Sequence, residues 1–253
     1  MKKLAVFILA LLPLLAAVPV RKGLPESAKG ESQYEVHYNY GSIHAKMATA
    51  TLTMEDATWQ EMPAYFANFT IRAANVFKLF LLNEYKVNLF LSKDDSHTYY
   101  YSFPHRKKGK ERHLEFFYKE KEVESVLQTE GFPEPVRQVY TTDGLPTMDI
   151  ASFVFYLRSL DPAELQGAPI RANLILVTES VPSELRYLGD DYAFWPGEAA
   201  WHYRVKMLGR GLMENHTGDE IDIWISPKPE HAFRGLEVKL GKATVLAKMV
   251  LPE

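Results

Sequence analysis

From residue 33 onward, apolar and polar residues alternate with a period of two over most of the chain, the pattern of strands with one buried face. Tyr34, Val36, Tyr38 and Tyr40 fall on one side, and Gln33, Glu35, His37 and Asn39 on the other. Gly41-Ser42 predicts a tight turn, and 43–54 a second strand whose threonine, alanine and methionine content suits a half-buried sheet. The same reading places strands at 64–72, 85–91, 99–103, 113–118 and 122–128, with turns near Glu61-Met62-Pro63, Asp94-Asp95 and Lys119-Glu120-Lys121. A loop at 129–146 holds three prolines and an Asp143-Gly144 step. Beyond it, strands recur at 170–178, 184–188, 201–208, 220–226, 236–240 and 243–251.

Two segments change period. In 73–82, Val76, Phe77, Phe80 and Leu81 recur at helical spacing and predict a short helix. In 148–160, Ile150, Phe153, Val154 and Leu157 follow the i, i+3, i+4, i+7 rule, while Phe155 and Tyr156 widen the apolar surface to most of the circumference. Such a helix needs cover on nearly every side. Arg158 suits the negative pole at its end, and Asp161-Pro162 predicts a further short turn ended by Gly167. Nothing resembles a βαβ crossover, and no linker separates two halves. The expected fold is mainly β: a single large curved antiparallel sheet, a half-open barrel, wrapped around one apolar helix. The domain is expected over 33–253, after a mobile polar lead-in at 21–32.

The first 20 residues are different in kind. Lys2 and Lys3 precede an apolar run, Leu4 to Val20, interrupted by Pro13. A spanning helix needs about 20 apolar residues and tolerates an interior proline badly. The segment therefore reads as an export signal, 1–20, with its cleavage point undefined. The chain has no cysteine, which excludes disulfides, thiolate zinc sites, cysteine nucleophiles and lipidation at a first mature cysteine. A secreted eukaryotic domain of this size would usually carry disulfides, so a soluble periplasmic location, not a lipoprotein, is expected. The net charge is −3, and no nucleic-acid partner is expected from so mild a balance. One basic stretch, His105 to His113, could touch an anionic partner, but reads first as a solvated hairpin tip.

Candidate chemistry is sparse. Asp94, Asp95 and His97 could bind metal, yet aspartates between two strands are ordinary turn formers. His202 reads as a surface residue, and Glu220 and Asp222 as carboxylates on the solvent side of one strand. The chain contains no Gly-x-Ser-x-Gly elbow, phosphate loop or His-Glu-x-x-His. No cofactor, metal or catalytic residue is assigned, although a hydrolase whose residues converge only in space remains an alternative. What is left over is apolar: 14 tyrosines and 14 phenylalanines. Aromatics at strand period ordinarily fill a core, which is the stronger reading. A curved sheet around one helix can, however, leave a dry cleft for an acyl chain. The candidate ligand-binding residues are Phe77, Phe80, Phe153, Phe155 and Tyr156.

Several stretches look familiar. Gly30-Glu31-Ser32-Gln33-Tyr34-Glu35-Val36-His37-Tyr38 resembles the opening of a family of exported proteins of unknown function found in Bacteroidetes and Proteobacteria. Asp149-Ile150-Ala151-Ser152-Phe153-Val154-Phe155-Tyr156-Leu157-Arg158 is similar to that family's most recognisable helix, and Ile221 to Ser226 and Leu236 to Ala247 to its closing strands. Ser226-Pro227-Lys228-Pro229 departs from the family's usual aspartate and proline after the tryptophan strand. The resemblance runs from about Gly30 to Met249. It implies a half-open barrel over a helical plug, akin to the LolA and LolB lipoprotein carriers, and transfers no catalytic residue. A lipid or other hydrophobic ligand in envelope biogenesis is the expectation that follows. The alternative is an interaction module of envelope or surface-polysaccharide assembly, with an envelope protein as partner and no small ligand.

Overall fold

Alternation becomes pairing at the first turn. β1 (Gly30–Tyr40) reverses at Gly41, whose φ of 57° favours glycine, into the 17-residue β2 (Ile43–Trp59). The computed structural model describes residues 22–75, 84–107, 110–142, 144–165, 167–176, 179–192, 198–208, 220–227 and 231–250. The meander continues through β3 (Met62–Ala73), β4 (Glu84–Ser92), β5 (Thr98–Lys107), β6 (Lys110–Tyr118), β7 (Glu122–Thr129) and β8 (Val136–Thr141). A two-residue strand, β9 (Thr147–Met148), leads into helix α1 (Ile150–Arg158). Then follow β10 (Ile170–Leu176), β11 (Glu179–Asp191), β12 (Ala200–Met207), β13 (Glu220–Ile225), β14 (Phe233–Leu240) and β15 (Ala243–Val250).

The described strands form one 15-stranded sheet in the order β8-β7-β6-β5-β4-β3-β2-β1-β15-β14-β13-β12-β11-β10-β9. The two halves of the chain are joined at the middle by β1 pairing with β15, for example Val36 opposite Ala247. Register shifts at Val36/His37, Phe90/Leu91, Tyr187/Gly189 and Trp224/Ile225 bend the strands that carry them. Among the described residues the edges β8 and β9 do not pair, so the barrel is open. Only residues 142–146 join them, which limits their separation at that point to roughly 20 Å.

α1 lies inside this curve with Ser152 to Arg158 all buried, as its nearly continuous apolar surface requires. Leu89, Leu114 and Phe116 from the first half and Leu174, Leu185, Tyr203 and Ile223 from the second belong to the same core cluster. The mainly β, half-open barrel around one apolar helix is therefore the architecture found.

Several expectations are corrected, each for a local reason. β8 falls inside the proline-rich stretch taken as a loop; only its Tyr140 is buried, so an edge strand shows no alternation to read. β11 starts at Glu179, before Pro182; this proline's carbonyl accepts the Leu208 N–H, so the strand passes through it. β9 pairs parallel with β10, the exception in an otherwise antiparallel sheet. Residues 22–32, expected as a mobile lead-in, include a buried Leu24, a 3₁₀ turn at Glu26–Ala28 and the first residues of β1, and the Lys22 carbonyl accepts from Ser96 Oγ at 3.0 Å. The helix expected at 73–82 lies, from residue 76, outside the described residues.

Candidate functional site

The concave side of the sheet does not meet α1 everywhere. Around Val36 the inward positions of four adjacent strands read Ala247, Val36, Ala48 and Ala73, paired across β15, β1, β2 and β3. Methyl-sized side chains leave the sheet thin there, and a cavity of about 400 Å3 remains between it and the helix, within the usual range for small-molecule pockets. Its helical side is Ile150, Ala151 and Val154, the face displayed at i, i+1 and i+4. Aromatic rings form the walls: Tyr34, Phe69, Tyr85, Tyr101, Phe103 and Phe233. Tyr85 and Phe103 stack at 6.1 Å with 12° between planes, and Tyr34 tilts against Phe233 at 5.2 Å. The Tyr34 hydroxyl donates to the Phe233 carbonyl at 2.9 Å. The hydroxyl is thereby engaged at the rim of the wall, and the ring supplies apolar surface. Burial pushes this phenol up to about 12.

α1 is held against the cavity from both ends. At its start, Asp149 is the N-cap: Oδ1 accepts from the Ala151 and Ser152 N–H groups at 2.8 and 3.0 Å. Oδ2 accepts from the Tyr118 hydroxyl at 2.5 Å and from Ser152 Oγ, while the Asp149 N–H donates to the Tyr118 oxygen at 3.0 Å. Burial raises the carboxyl's pKa against the pull of these donors. At the other end, Arg158 is itself 3% exposed rather than a solvated dipole partner. Its Nε donates to the His231 carbonyl at 2.6 Å and Nη2 to the Ala28 carbonyl at 3.5 Å, and His231 Nδ1 bonds the Arg158 carbonyl at 2.6 Å. Desolvation lowers the guanidinium to about 10, so it is still charged at neutral pH.

Of the residues singled out from sequence, Phe153, Phe155 and Tyr156 are at most 1% exposed and do not line the cavity. Phe153 packs on Tyr156 at 5.9 Å, and Phe155 backs the cavity wall edge-on to Phe69 at 6.1 Å. Phe77 and Phe80 lie outside the described residues. The lining that sequence reasoning missed consists of strand aromatics and inward alanines. The alanine content of β2 was the available signal for it.

The polar candidates are distributed elsewhere. Asp94 and Asp95 sit in the β4–β5 turn, where Asp95 Oδ1 accepts the His97 N–H at 3.0 Å. Among the described residues no group of three potential metal ligands converges. Asp222 does not face solvent as expected; it is 2% exposed. It points outward, but side chains from neighbouring strands fold over it: His202 Nε2 at 3.0 Å, Arg204 Nε and Nη2 at 2.7 and 3.1 Å, and Lys239 Nζ at 3.1 Å. His202 is half-buried, stacked on Trp224 at 4.7 Å. Burial alone would raise the Asp222 carboxyl, but these three donors outweigh it and hold the group far below the usual carboxylate range. A depressed folded-state pKa contributes stability that is present above the unfolded value near 3.9 and lost as pH falls below it. Asp222→Asn should therefore flatten the loss of unfolding free energy between pH 5 and pH 2 by about 2 kcal/mol. Urea titrations at each pH measure this; superimposable pH profiles would show that the cations do not hold the charge.

One comparison with a solved structure agrees with this architecture. A structure of a β-barrel-like protein of the domain of unknown function DUF1849 from Brucella abortus superposes with a TM-score of 0.51 at 11% identity, over 92% of this chain and 98% of that one. That likeness concerns the fold alone. The lipoprotein LppX of Mycobacterium tuberculosis aligns over 89% of this chain and 88% of its own at 9% identity, with a TM-score of 0.27. No curated protein matches the sequence. Residues 33–248 match the family described as "Protein of unknown function (DUF3108)", from the first inward-facing strand almost to the end of the last. The chain belongs to the DUF3108 family.

Proposed function

We propose that this is an exported, periplasmic, non-catalytic protein that shelters the apolar part of a lipid or similar hydrophobic molecule during envelope biogenesis. The observation that carries the reading is the cavity of about 400 Å3 between α1 and the thin, alanine-bearing part of the sheet, walled by aromatic rings. An apolar space of that size is poorly suited to water, which needs two to four polar partners, and well suited to hydrocarbon. The open barrel gives such a molecule a way in without unfolding the sheet. Export rests on Lys2, Lys3 and the apolar run to Val20. No helix among the described residues is long and apolar enough to cross a membrane.

Native mass spectrometry of the full chain, produced with its own leader and isolated from the periplasm without detergent, tests the reading. The expected spectrum shows the protein with a lipid-sized adduct that organic extraction removes. A bare polypeptide mass before extraction would overturn it.

A further inference from the structure

Alternation sends Ala67, Leu89, Tyr101 and Phe116 into the core. Their neighbours Phe66, Phe90, Tyr100 and Phe117 therefore stand on the convex face, where a sheet meeting water ordinarily carries polar residues. Register makes them a row across β3 to β6: Phe66 pairs with Phe90, Phe90 with Tyr100, and Tyr100 with Phe117. Successive ring centroids are 5.0, 6.3 and 5.3 Å apart, with planes tilted by 45°, 57° and 57°. Trp59, the last residue of β2, joins the row 4.9 Å from Phe90 and stacks on Tyr100 at 5.1 Å, with 20° between planes. All five rings are half-buried. At a strand spacing of about 4.8 Å, the row from Phe66 to Phe117 spans roughly 14 Å. The apolar cavity lies on the opposite face of the sheet.

A polar ladder runs beside the rings. Asn68, Asn88, Ser102 and Glu115 are paired in register on the same four strands. Asn68 Nδ2 donates to Asn88 Oδ1 at 2.7 Å, Asn88 Nδ2 to Ser102 Oγ at 3.3 Å, and the Tyr100 hydroxyl to Glu115 Oε1 at 2.5 Å. An amide offers two N–H donors and two lone pairs. Asn88 engages one of each in the ladder and keeps one of each for a ligand. Contiguous apolar surface rimmed by polar groups marks a contact site.

The surrounding charge decides the kind of ligand. In register, the row ends at Glu55 on one side and Glu124 on the other, with Glu115 alongside. The flanking cations are engaged by carboxylates: Lys119 and Arg137 by Glu124 at 3.4 and 2.9 Å, and Lys86 by Glu84 at 3.4 Å. The lysines and arginines of the β5–β6 hairpin lie five residues or more along the strands from Tyr100 and Phe117, roughly 16 Å away. Single-stranded nucleic acid stacks on aromatic rows that sit in a basic groove, and an anionic membrane surface draws lysine and arginine. Carboxylates at both ends and along one side suit neither. They suit a neutral, hydroxyl-rich ring, whose C–H face packs on an aromatic face and whose hydroxyls donate to carboxylates and exchange hydrogen bonds with amides. We propose that the convex face of β2 to β6 is a second binding site, for a neutral glycan chain. Successive sugar rings stack along Trp59, Phe66, Phe90, Tyr100 and Phe117, and Asn68, Asn88 and Glu115 bond their hydroxyls. The tilt from ring to ring fits a single twisted chain better than a flat crystalline surface.

The test is isothermal titration calorimetry of the full chain with cellohexaose, chitohexaose and maltohexaose. The native protein should bind at least one of them saturably. Trp59→Ala at one end of the row and Phe117→Thr at the other should each weaken that binding at least tenfold, so either variant serves if the other does not fold. Both should take up the apolar fluorophore N-phenyl-1-naphthylamine as the native protein does, because the cavity is on the other face. Binding of none of the three hexasaccharides would overturn the proposal, as would binding that a folded variant leaves unchanged. Phosphatidylglycerol vesicles should not bind through this face; vesicle binding lost in Trp59→Ala, without hexasaccharide binding, would replace the glycan by a membrane surface. Failure of the native chain to take up the fluorophore would count against the cavity alone and leave this site standing.

Discussion

Replacing Asp149 with alanine should lower the melting temperature by about 6–12 °C, as followed by circular dichroism. The expectation comes from adding what that one carboxylate does. It caps α1 through two N–H groups, a contribution of about 1 kcal/mol. It also accepts from the buried Tyr118 and Ser152 hydroxyls, which would be left facing an apolar interior at about 1 kcal/mol or more each. The sum is about 3 kcal/mol, and for a chain of this size each kcal/mol moves the midpoint by about 2–4 °C. Asp149→Asn should cost less than half as much, because it retains an accepting oxygen and removes the charge that burial disfavours. The sign of the pH dependence separates this carboxyl from Asp222. A raised folded-state pKa gives stability that is complete below the unfolded value near 3.9 and declines as pH rises through the folded value. A melting temperature unchanged by Asp149→Ala would mean that the helix is positioned by its apolar packing alone.

The Asp149 result also explains which parts of the molecule could be read before folding. In the stretch from Asp149 to Arg158, the spacing of Ile150, Phe153, Val154 and Leu157 identified a helix that had to be covered all round, and Ser152 to Arg158 are indeed all buried. Strands with one buried face, such as β1 and β6, were legible for the same reason: burial on one side imposes a period of two. β8 was not legible, since an edge strand with one buried residue has no face to encode. The cavity was hidden for a different reason. Periodicity says which side chains point inward, but not what stands opposite them. Tyr34, Phe69 and Phe103 have the same pattern whether they meet one another or a space. The decisive fact, that Ala48 is flanked by Val36 and Ala73, depends on pairings between strands. Asp222 shows the same limit in reverse: it points outward as alternation requires, yet is buried by long side chains from adjacent strands. Arg158 reads as a helix-end cation in one dimension and is a buried one in three.

Ala48→Leu and Ala50→Leu together should abolish ligand uptake without weakening the fold. Both alanines line the cavity from β2, and each added side chain extends into space that no described residue fills. In a close-packed interior such enlargement forces strain and costs about 1–3 kcal/mol per site. Where a void exists, filling it removes part of the cavity penalty, so the melting temperature should hold or rise by about 2–4 °C. Loss of binding with retained stability is therefore a combination that ordinary core packing at these positions does not produce.

The occupancy of the cavity is read most directly by a paired titration of the native protein and this double variant with N-phenyl-1-naphthylamine. The native chain should show saturable one-to-one fluorescence enhancement and the variant at least a tenfold loss of affinity, at equal or higher melting temperature. A variant that binds the fluorophore as the native protein does would contradict the assignment of the space beneath α1 as the ligand site.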